Sequence, residues 1–115
     1  MIMKIAIIGS RTISQVPIQE YLPANVTEIV SGGARGVDTQ AKRYAQKAGI
    51  PLTEFLPQYA LYGRAAPLKR NEEIARYADG VLAFWDGVSK GTADTIRHFQ
   101  RLGKAVTVIL WRDRA

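Results

Sequence analysis

The sequence predicts an α/β fold in which helices cover both faces of a mainly parallel sheet of about five strands. Five short apolar runs alternate with helical patterns, and the 115 residues fit a single domain over 1–115. The first run is apolar without interruption, which is typical of a strand buried on both faces. Regular alternation of strands and helices, joined by right-handed crossovers, predicts a three-layer Rossmann-like architecture.

Prolines and glycines limit the elements in the first half of the chain. Ile5–Ile8 ends at Gly9, while Pro17 and Pro23 confine the first helix to a short segment. Gly49 ends the second helix. The predicted elements are strands at 5–8, 29–30 and 51–56 and helices at about 16–22 and 37–48, with Val37, Ala41, Ala45 and Ala48 on one face of the second helix.

The second half repeats the alternation after one irregular stretch. Residues 58–66, which contain Tyr59 and Arg64, are interpreted either as a functional flap or as a connector. Gly103 ends the last helix. The predicted elements are helices at 67–78 and 92–102 and strands at 80–85 and 106–110. Asn71, Ile74, Ala75 and Ala78 face inward on the first of these helices, and Thr92, Ile96, Phe99 and Leu102 share a face of the second.

The composition is that of an ordinary globular domain with a basic surface. Hydrophobic residues make up 47% and charged residues 23% of the chain. Cysteine is absent, no apolar run approaches a membrane span, and Met1–Ile5 lacks a signal-peptide pattern. We therefore expect a cytoplasmic protein that does not contact membranes. The net charge of +6 and pI of about 9.9 favour an anionic partner, either nucleic acid or a phosphorylated small molecule, or serve solubility alone.

Three loops rich in glycine, hydroxyls and basic residues follow strands one, two and four. They span 9–11, 31–36 and 86–92, and they contain six of the ten glycines. Ligands of such sheets bind beyond the carboxyl ends of the strands, where the strand order reverses. We therefore expect the three loops to form one binding crevice.

The loop at 31–36 predicts a phosphate cradle. Glycine lets backbone N–H groups approach a ligand, and a helix N-terminus favours negative charge. The alternative is a tight strand–helix connection that needs glycine for its own geometry. Arg35 is either a bidentate phosphate ligand or the partner of a carboxylate such as Asp38, and Arg11 is either a ligand or a surface residue. The candidate ligand-binding residues are Gly9, Ser10, Arg11, Ser31, Gly32, Gly33, Ala34, Arg35, Gly36, Arg70, Asn71, Gly91 and Thr92.

Two further sets of residues are candidates for contact with a base and for catalysis. Trp85 is able to stack on a base and Asp86 to bind ribose hydroxyls, with a core lid and a turn residue as the alternatives. Asp38, Asp86 and Asp94 are weak catalytic candidates, and helix capping is the alternative for Asp38. The single histidine, His98, is expected at the surface, and we expect neither metal nor cofactor. The glycine loop is neither a P-loop nor a G-x-G-x-x-G fingerprint.

The ordered set of motifs resembles the SLOG superfamily of Rossmann-like proteins, and within it the YspA-related DUF2493 family. The resemblance covers residues 4 to about 109 as a single SLOG-type domain. It is carried by Ile8–Arg11, Val30–Asp38, Arg70-Asn71, Phe84–Gly87, Ser89 and Gly91-Thr92. Each motif alone is weak, whereas the ordered set is specific.

Two better-understood branches of this superfamily imply different functions. The Lonely Guy phosphoribohydrolases use a glutamate that falls at Thr95 here, with Asp94 one position early and facing another side of the helix, while Arg70 matches an arginine near their ligand. The DNA-processing protein A family, which binds single-stranded DNA, has a loop close to residues 31–38. The resemblance to the hydrolases also implies a homodimer, with residues 59–64 or the first helix as candidate surfaces.

Residues and resemblance together lead to three alternatives. The leading one is binding or sensing of a nucleotide or nucleotide-derived phosphorylated ligand. The second is a nucleotide-processing hydrolase, an N-glycosidase of nucleoside monophosphates, with Thr95 in place of the expected glutamate. The third is single-stranded DNA binding.

Overall fold

A five-stranded, all-parallel sheet forms the centre of the molecule. The computed structural model describes residues 1–113. Its strands are β1 Lys4–Gly9, β2 Glu28–Ser31, β3 Leu52–Glu54, β4 Gly80–Trp85 and β5 Ala105–Leu110. Their order in the sheet is β3-β2-β1-β4-β5, and every neighbouring pair is parallel. The predicted fold class is confirmed.

Helices cover both faces of this sheet. The helices are α1 Ile18–Tyr21, α2 Val37–Ala48, α3 Tyr59–Tyr62, α4 Ala66–Tyr77 and α5 Lys90–Arg101, with a 3-10 turn at Gly63–Ala65. Alternate side chains of β1 explain the three layers. Ile5 and Ile7 pack with α1 and α2, whereas Ala6 and Ile8 pack with α4 and α5. The four consecutive apolar residues of β1 therefore contribute side chains to the hydrophobic cores on both faces of the sheet.

Three details of the sequence-based prediction are wrong. Residues 58–66 are mostly helical: α3 and the 3-10 turn lead directly into α4, with Pro67 in its first turn, where a missing N–H costs nothing. The last predicted helix begins at Lys90 rather than at residue 92. Ala48 and Leu102 are exposed because each lies at the end of its helix, where no further turn continues the apolar face.

Across residues 1–113, every helix is too short or too polar to cross a bilayer.

Candidate functional site

The carboxyl ends of β1 and β4 meet at the point where the strand order reverses. From β1 the chain continues outward on one side to β2 and β3, whereas β4 and β5 lie on the other side. A cavity of about 330 Å³ opens above this point, between the loops after β1 and β2 and the first turns of α4 and α5. We call this cavity the inner lobe. Ligands of open α/β sheets bind at this position.

A second cavity of about 340 Å³ adjoins the first. Both are lined by Arg11, Gly32, Ala34 and Arg70, so they form one crevice. We call the second cavity the outer lobe. It adds Gly33, Arg35, Thr39 and Pro57 to the crevice lining.

Arg70 is a buried cation between the two lobes. Its Nη1 donates to the Gly32 carbonyl at 2.6 Å and its Nε to Asn71 Oδ1 at 3.0 Å. A Cβ on Gly32 would lie 2.6 Å from Arg70 Nη1 and 3.0 Å from Asp38 Oδ2. Glycine is therefore favoured at position 32 because a side chain would collide with Arg70 and Asp38. At this position the structure favours the alternative in which the loop is a tight strand–helix connection.

Asp38 holds the glycine loop rather than capping its own helix. It is the second residue of α2, and its Oδ2 accepts the Ala34 N–H at 3.0 Å. Burial raises the pKa of Asp38, and the Ala34 N–H and the Arg70 guanidinium oppose that rise. The carboxyl group lines the inner lobe.

Arg35 and Arg11 stay available to a ligand. Both are exposed at the crevice, and within residues 1–113 no carboxylate oxygen lies within 4.0 Å of either guanidinium. The alternative that pairs Arg35 with Asp38 is therefore wrong. Arg11 lines both lobes, whereas Arg35 lines the outer lobe alone.

Asp86 organises the loop before α5 from outside the crevice. Its Oδ1 accepts the N–H groups of Val88 and Ser89 at 2.9 and 2.8 Å, and its Oδ2 lies 2.9 Å from Ser89 Oγ. These bonds lower the pKa of Asp86 to about 2. Because its own N–H donates to Ser10 Oγ at 3.2 Å, Asp86 also ties this loop to the loop after β1. The carboxylate lines neither lobe, which favours the turn alternative over ribose binding.

Trp85 is committed to packing. Its indole Nε1 donates to the Ser89 carbonyl at 3.0 Å, and its half-buried ring packs on the core beneath α4 and α5. It lines neither lobe. The structure therefore favours the core-lid alternative over base stacking.

The first turns of α5 form one wall of the inner lobe. Thr92 and Thr95 are buried and line it, and Thr95 Oγ1 donates to the Gly91 carbonyl at 3.0 Å. Asp94 faces away from the lobe, as its helical position predicts. Its Oδ2 accepts a bond from Asn71 Nδ2 at 3.2 Å and lies 3.5 Å from His98 Nε2. His98, which was expected at the surface, is half-buried, with 21% of its side chain exposed.

The N-terminus of α5 provides hydrogen-bond donors beside the inner lobe. The first internal bond of α5 runs from the Ala93 N–H to the Ser89 carbonyl, which leaves the earlier N–H groups of the helix free of helical partners. Within residues 1–113 the Thr92 hydroxyl is bound to no other group, and Lys90 adds a cation to the lining. These groups suit an anion.

Other predicted residues support the crevice without lining it. Ser31 is fully buried and its Oγ accepts the Gly33 N–H at 3.3 Å. Gly36 precedes α2 with a φ of 73°. Pro67 and Leu68, which are not among the predicted ligand-binding residues, also line the inner lobe. Pro67 lies three residues before Arg70, and this helical spacing places the two on one face. The spacing could therefore have identified Pro67 as a lining residue from the sequence.

Comparison with known proteins relates the chain to a phage protein. No family model matches the chain, and no solved structure matches it. The Gene 61 protein of Mycobacterium phage D29 is 37% identical over 92 residues, which cover 75% of this chain and 72% of the phage protein. The chain belongs to the family of this phage protein. A match of that length extends over several strands and helices, so the Gene 61 family shares most of this domain.

Proposed function

We propose that this protein binds or senses a nucleotide or nucleotide-derived phosphorylated molecule in the two-lobed crevice. The observation that carries the proposal is the charge of the lining. Among residues 1–113, four cationic residues, Arg11, Arg35, Arg70 and Lys90, line the crevice together with a single carboxylate, that of Asp38. Since this excess of positive charge lies at the point where the strand order reverses, an anionic ligand fits both the chemistry and the fold.

The inner lobe is the proposed phosphate site. It combines the Thr92 hydroxyl and the N-terminal N–H groups of α5 with the guanidinium of Arg11. The sequence predicts Arg70 as a ligand-binding residue, but we assign it a different role. Its Nε and Nη1 are already bonded inside the protein, so it contributes charge and holds the loop at Gly32. Arg11 is the guanidinium free to form two parallel bonds to a phosphate.

The SLOG assignment belongs to the same proposal. Loops that are far apart in the chain and that carry the resemblance lie around one crevice: Gly9–Arg11, Gly32 with Ala34, Arg70-Asn71 and Ser89–Thr92 all contribute to the inner lobe. We therefore propose a SLOG-type domain related to the YspA-related family.

Titration calorimetry and thermal unfolding with AMP test the proposal. AMP at 100 times its Kd is expected to raise the free energy of unfolding by about 2.7 kcal/mol. Arg11→Gln is expected to weaken AMP binding at least tenfold, because a charge-assisted bond contributes about 1.5–3 kcal/mol. Arg43→Gln is the matched control, because Arg43 is exposed on α2 and lines neither lobe.

Two results would contradict the proposal. One is the absence of a stability increase across a panel of nucleotides, ADP-ribose and NAD derivatives at millimolar concentration. The other is an equal loss of affinity in the Arg11 and Arg43 variants, which would indicate nonspecific attraction to a basic surface. Single-stranded DNA as the ligand would instead show a logarithmic salt slope of about −0.7 for each neutralised phosphate.

Asp38 supports hydrolysis of an N-glycosidic bond as a second candidate function. Within residues 1–113 it is the one carboxylate that lines the crevice, and its raised pKa suits a general acid. Release of free base from AMP, followed by chromatography, tests this function. Asp38→Asn is expected to abolish release and to retain AMP binding, whereas release that survives this substitution excludes Asp38 as the acid.

A further inference from the structure

A group of exposed apolar side chains borders the crevice. Within residues 56–68, the exposed fractions of Leu56, Tyr59, Leu61, Tyr62 and Leu68 are 61%, 58%, 67%, 37% and 55%. We call this group the rim patch. Such a concentration of exposed apolar surface beside a cavity indicates a binding surface.

The rim patch is continuous with both lobes. Pro57 lines the outer lobe and Leu68 lines the inner lobe, so both ends of the segment 57–68 reach the crevice, while residues 58–66 line neither lobe. Leu56 packs over the glycine loop, where its Cδ2 would lie 2.4 Å from a Cβ added to Gly33. A ligand held in the inner lobe and extending outward therefore meets this segment.

Tyr59 is the free aromatic ring of the rim patch. Tyr62 in the same helix has its ring 5.9 Å from Lys69 Nζ. Within residues 1–113, Tyr59 pairs with no other ring and its hydroxyl forms no hydrogen bond. Tyr59 follows Pro57, which lines the outer lobe, by two positions in the chain.

The charge of residues 56–68 indicates which kind of molecule would bind to the rim patch. Residues 56–68 carry one cation, Arg64, and no carboxylate. A second copy of the chain would bring the same cation and the same apolar groups to this surface, whereas a nucleotide brings a flat apolar ring attached to an anion. Trp85, the other candidate for stacking, is already bonded to Ser89.

We propose that Tyr59 is the platform on which the base of the bound nucleotide stacks, so that the site prefers base-bearing phosphates to sugar phosphates. This inference rests on the proposed function and extends it. It places the phosphate in the inner lobe, the ribose across Arg70 towards the outer lobe, and the base on the Tyr59 ring. An aromatic ring tolerates any base, because every base has a flat π-face.

Titration calorimetry with AMP and ribose 5-phosphate tests the inference on the wild type and three variants. Tyr59→Ala is expected to weaken AMP binding about tenfold, equivalent to about 1.4 kcal/mol. The same variant is expected to leave ribose 5-phosphate binding within about twofold. Tyr59→Phe keeps the ring and is expected to match the wild type. Tyr21→Ala is the matched control and is expected to match the wild type as well, because Tyr21 is exposed on α1 and lines neither lobe.

The outcomes separate the inference from the proposed function. A wild-type protein that binds neither compound overturns both. Binding of both compounds with equal effects of Tyr59→Ala on the two, or with no effect, overturns the inference alone. Sedimentation of the same proteins adds one more outcome: a wild-type dimer that Tyr59→Ala dissociates would assign the rim patch to a second copy and overturn the inference.

Discussion

Replacing Arg70 by methionine tests the central feature of the site, a buried guanidinium that joins α4 to the loop after β2. Arg70 is 8% exposed, and Asp38, the nearest candidate counter-charge, is 7% exposed. Methionine has a similar length and helix propensity, so the substitution removes the charge and its bonds with little change in packing. Gly32 and Asn71 lose the donors that Arg70 supplies.

The expected loss follows from these contacts. Two charge-assisted bonds each contribute about 1.5–3 kcal/mol. Within residues 1–113 no carboxylate oxygen lies within 4.0 Å of the Arg70 guanidinium, so the coulombic interaction with Asp38 adds less than the loss of a buried ion pair would. Burial of the guanidinium itself is unfavourable, as the lowered pKa of Arg70 shows, and this offsets part of the loss. We expect Arg70→Met to lower the free energy of unfolding by about 3 kcal/mol at pH 7.

The loss is expected to depend on pH through Asp38. Burial already raises the pKa of Asp38 above its value in the unfolded chain, and removing the Arg70 guanidinium raises it further. A folded state with a raised carboxyl pKa binds more protons than the unfolded state between the two pKa values. Stability therefore falls as the pH rises through that interval, and the loss in Arg70→Met is smaller at pH 4 than at pH 7. Asp38→Asn removes the charge and should recover at least 1 kcal/mol at pH 7 in the methionine background.

Urea unfolding of the wild type, the two single variants and the double variant, at pH 4 and pH 7, measures these quantities as a double-mutant cycle. A loss below about 1 kcal/mol in Arg70→Met would refute the structural role of the guanidinium. Equal losses at the two pH values, or additive effects of the two substitutions, would refute the coupling to Asp38.

Two further predictions concern the loops around the crevice. Gly36→Ala is expected to destabilise the fold by about 3 kcal/mol in urea unfolding, because φ is 73° and the new Cβ would lie 2.5 Å from the Ser10 carbonyl oxygen. Gly91→Ala, where a Cβ meets nothing within 4 Å, is the control, and an equal loss there would contradict this explanation. Because hydrogen bonds lower the pKa of Asp86 to about 2, its stabilising contribution should be complete above about pH 4 and disappear as the pH falls towards 2. Asp86→Asn should remove this pH dependence in acid unfolding, and an unchanged acid profile would contradict the proposed role of the loop.

The sequence alone determined the fold class and the edge of the sheet at which the candidate site lies. Both follow from local properties, because the alternation of apolar runs with helical periodicity identifies strands and helices, and chain handedness places the loops together. The sequence also predicted that Thr95 and Asp94 lie on different faces of α5, because helical geometry depends on local spacing alone. The sequence therefore identified the residues of each loop but not the contacts that these residues make.

Only the tertiary structure decided which of these residues face the crevice. Gly32 accommodates the side chain of Arg70, a residue 38 positions later in the chain. Asp86 bonds across the crevice edge to Ser10, 76 positions earlier, and Trp85 is held by Ser89. Periodicity and residue type contain no information about such partners, because they depend on which elements the completed sheet brings together. Within residues 1–113, the candidate ligand-binding groups that the folded protein leaves free include Arg11, Arg35, Thr92 and Tyr59.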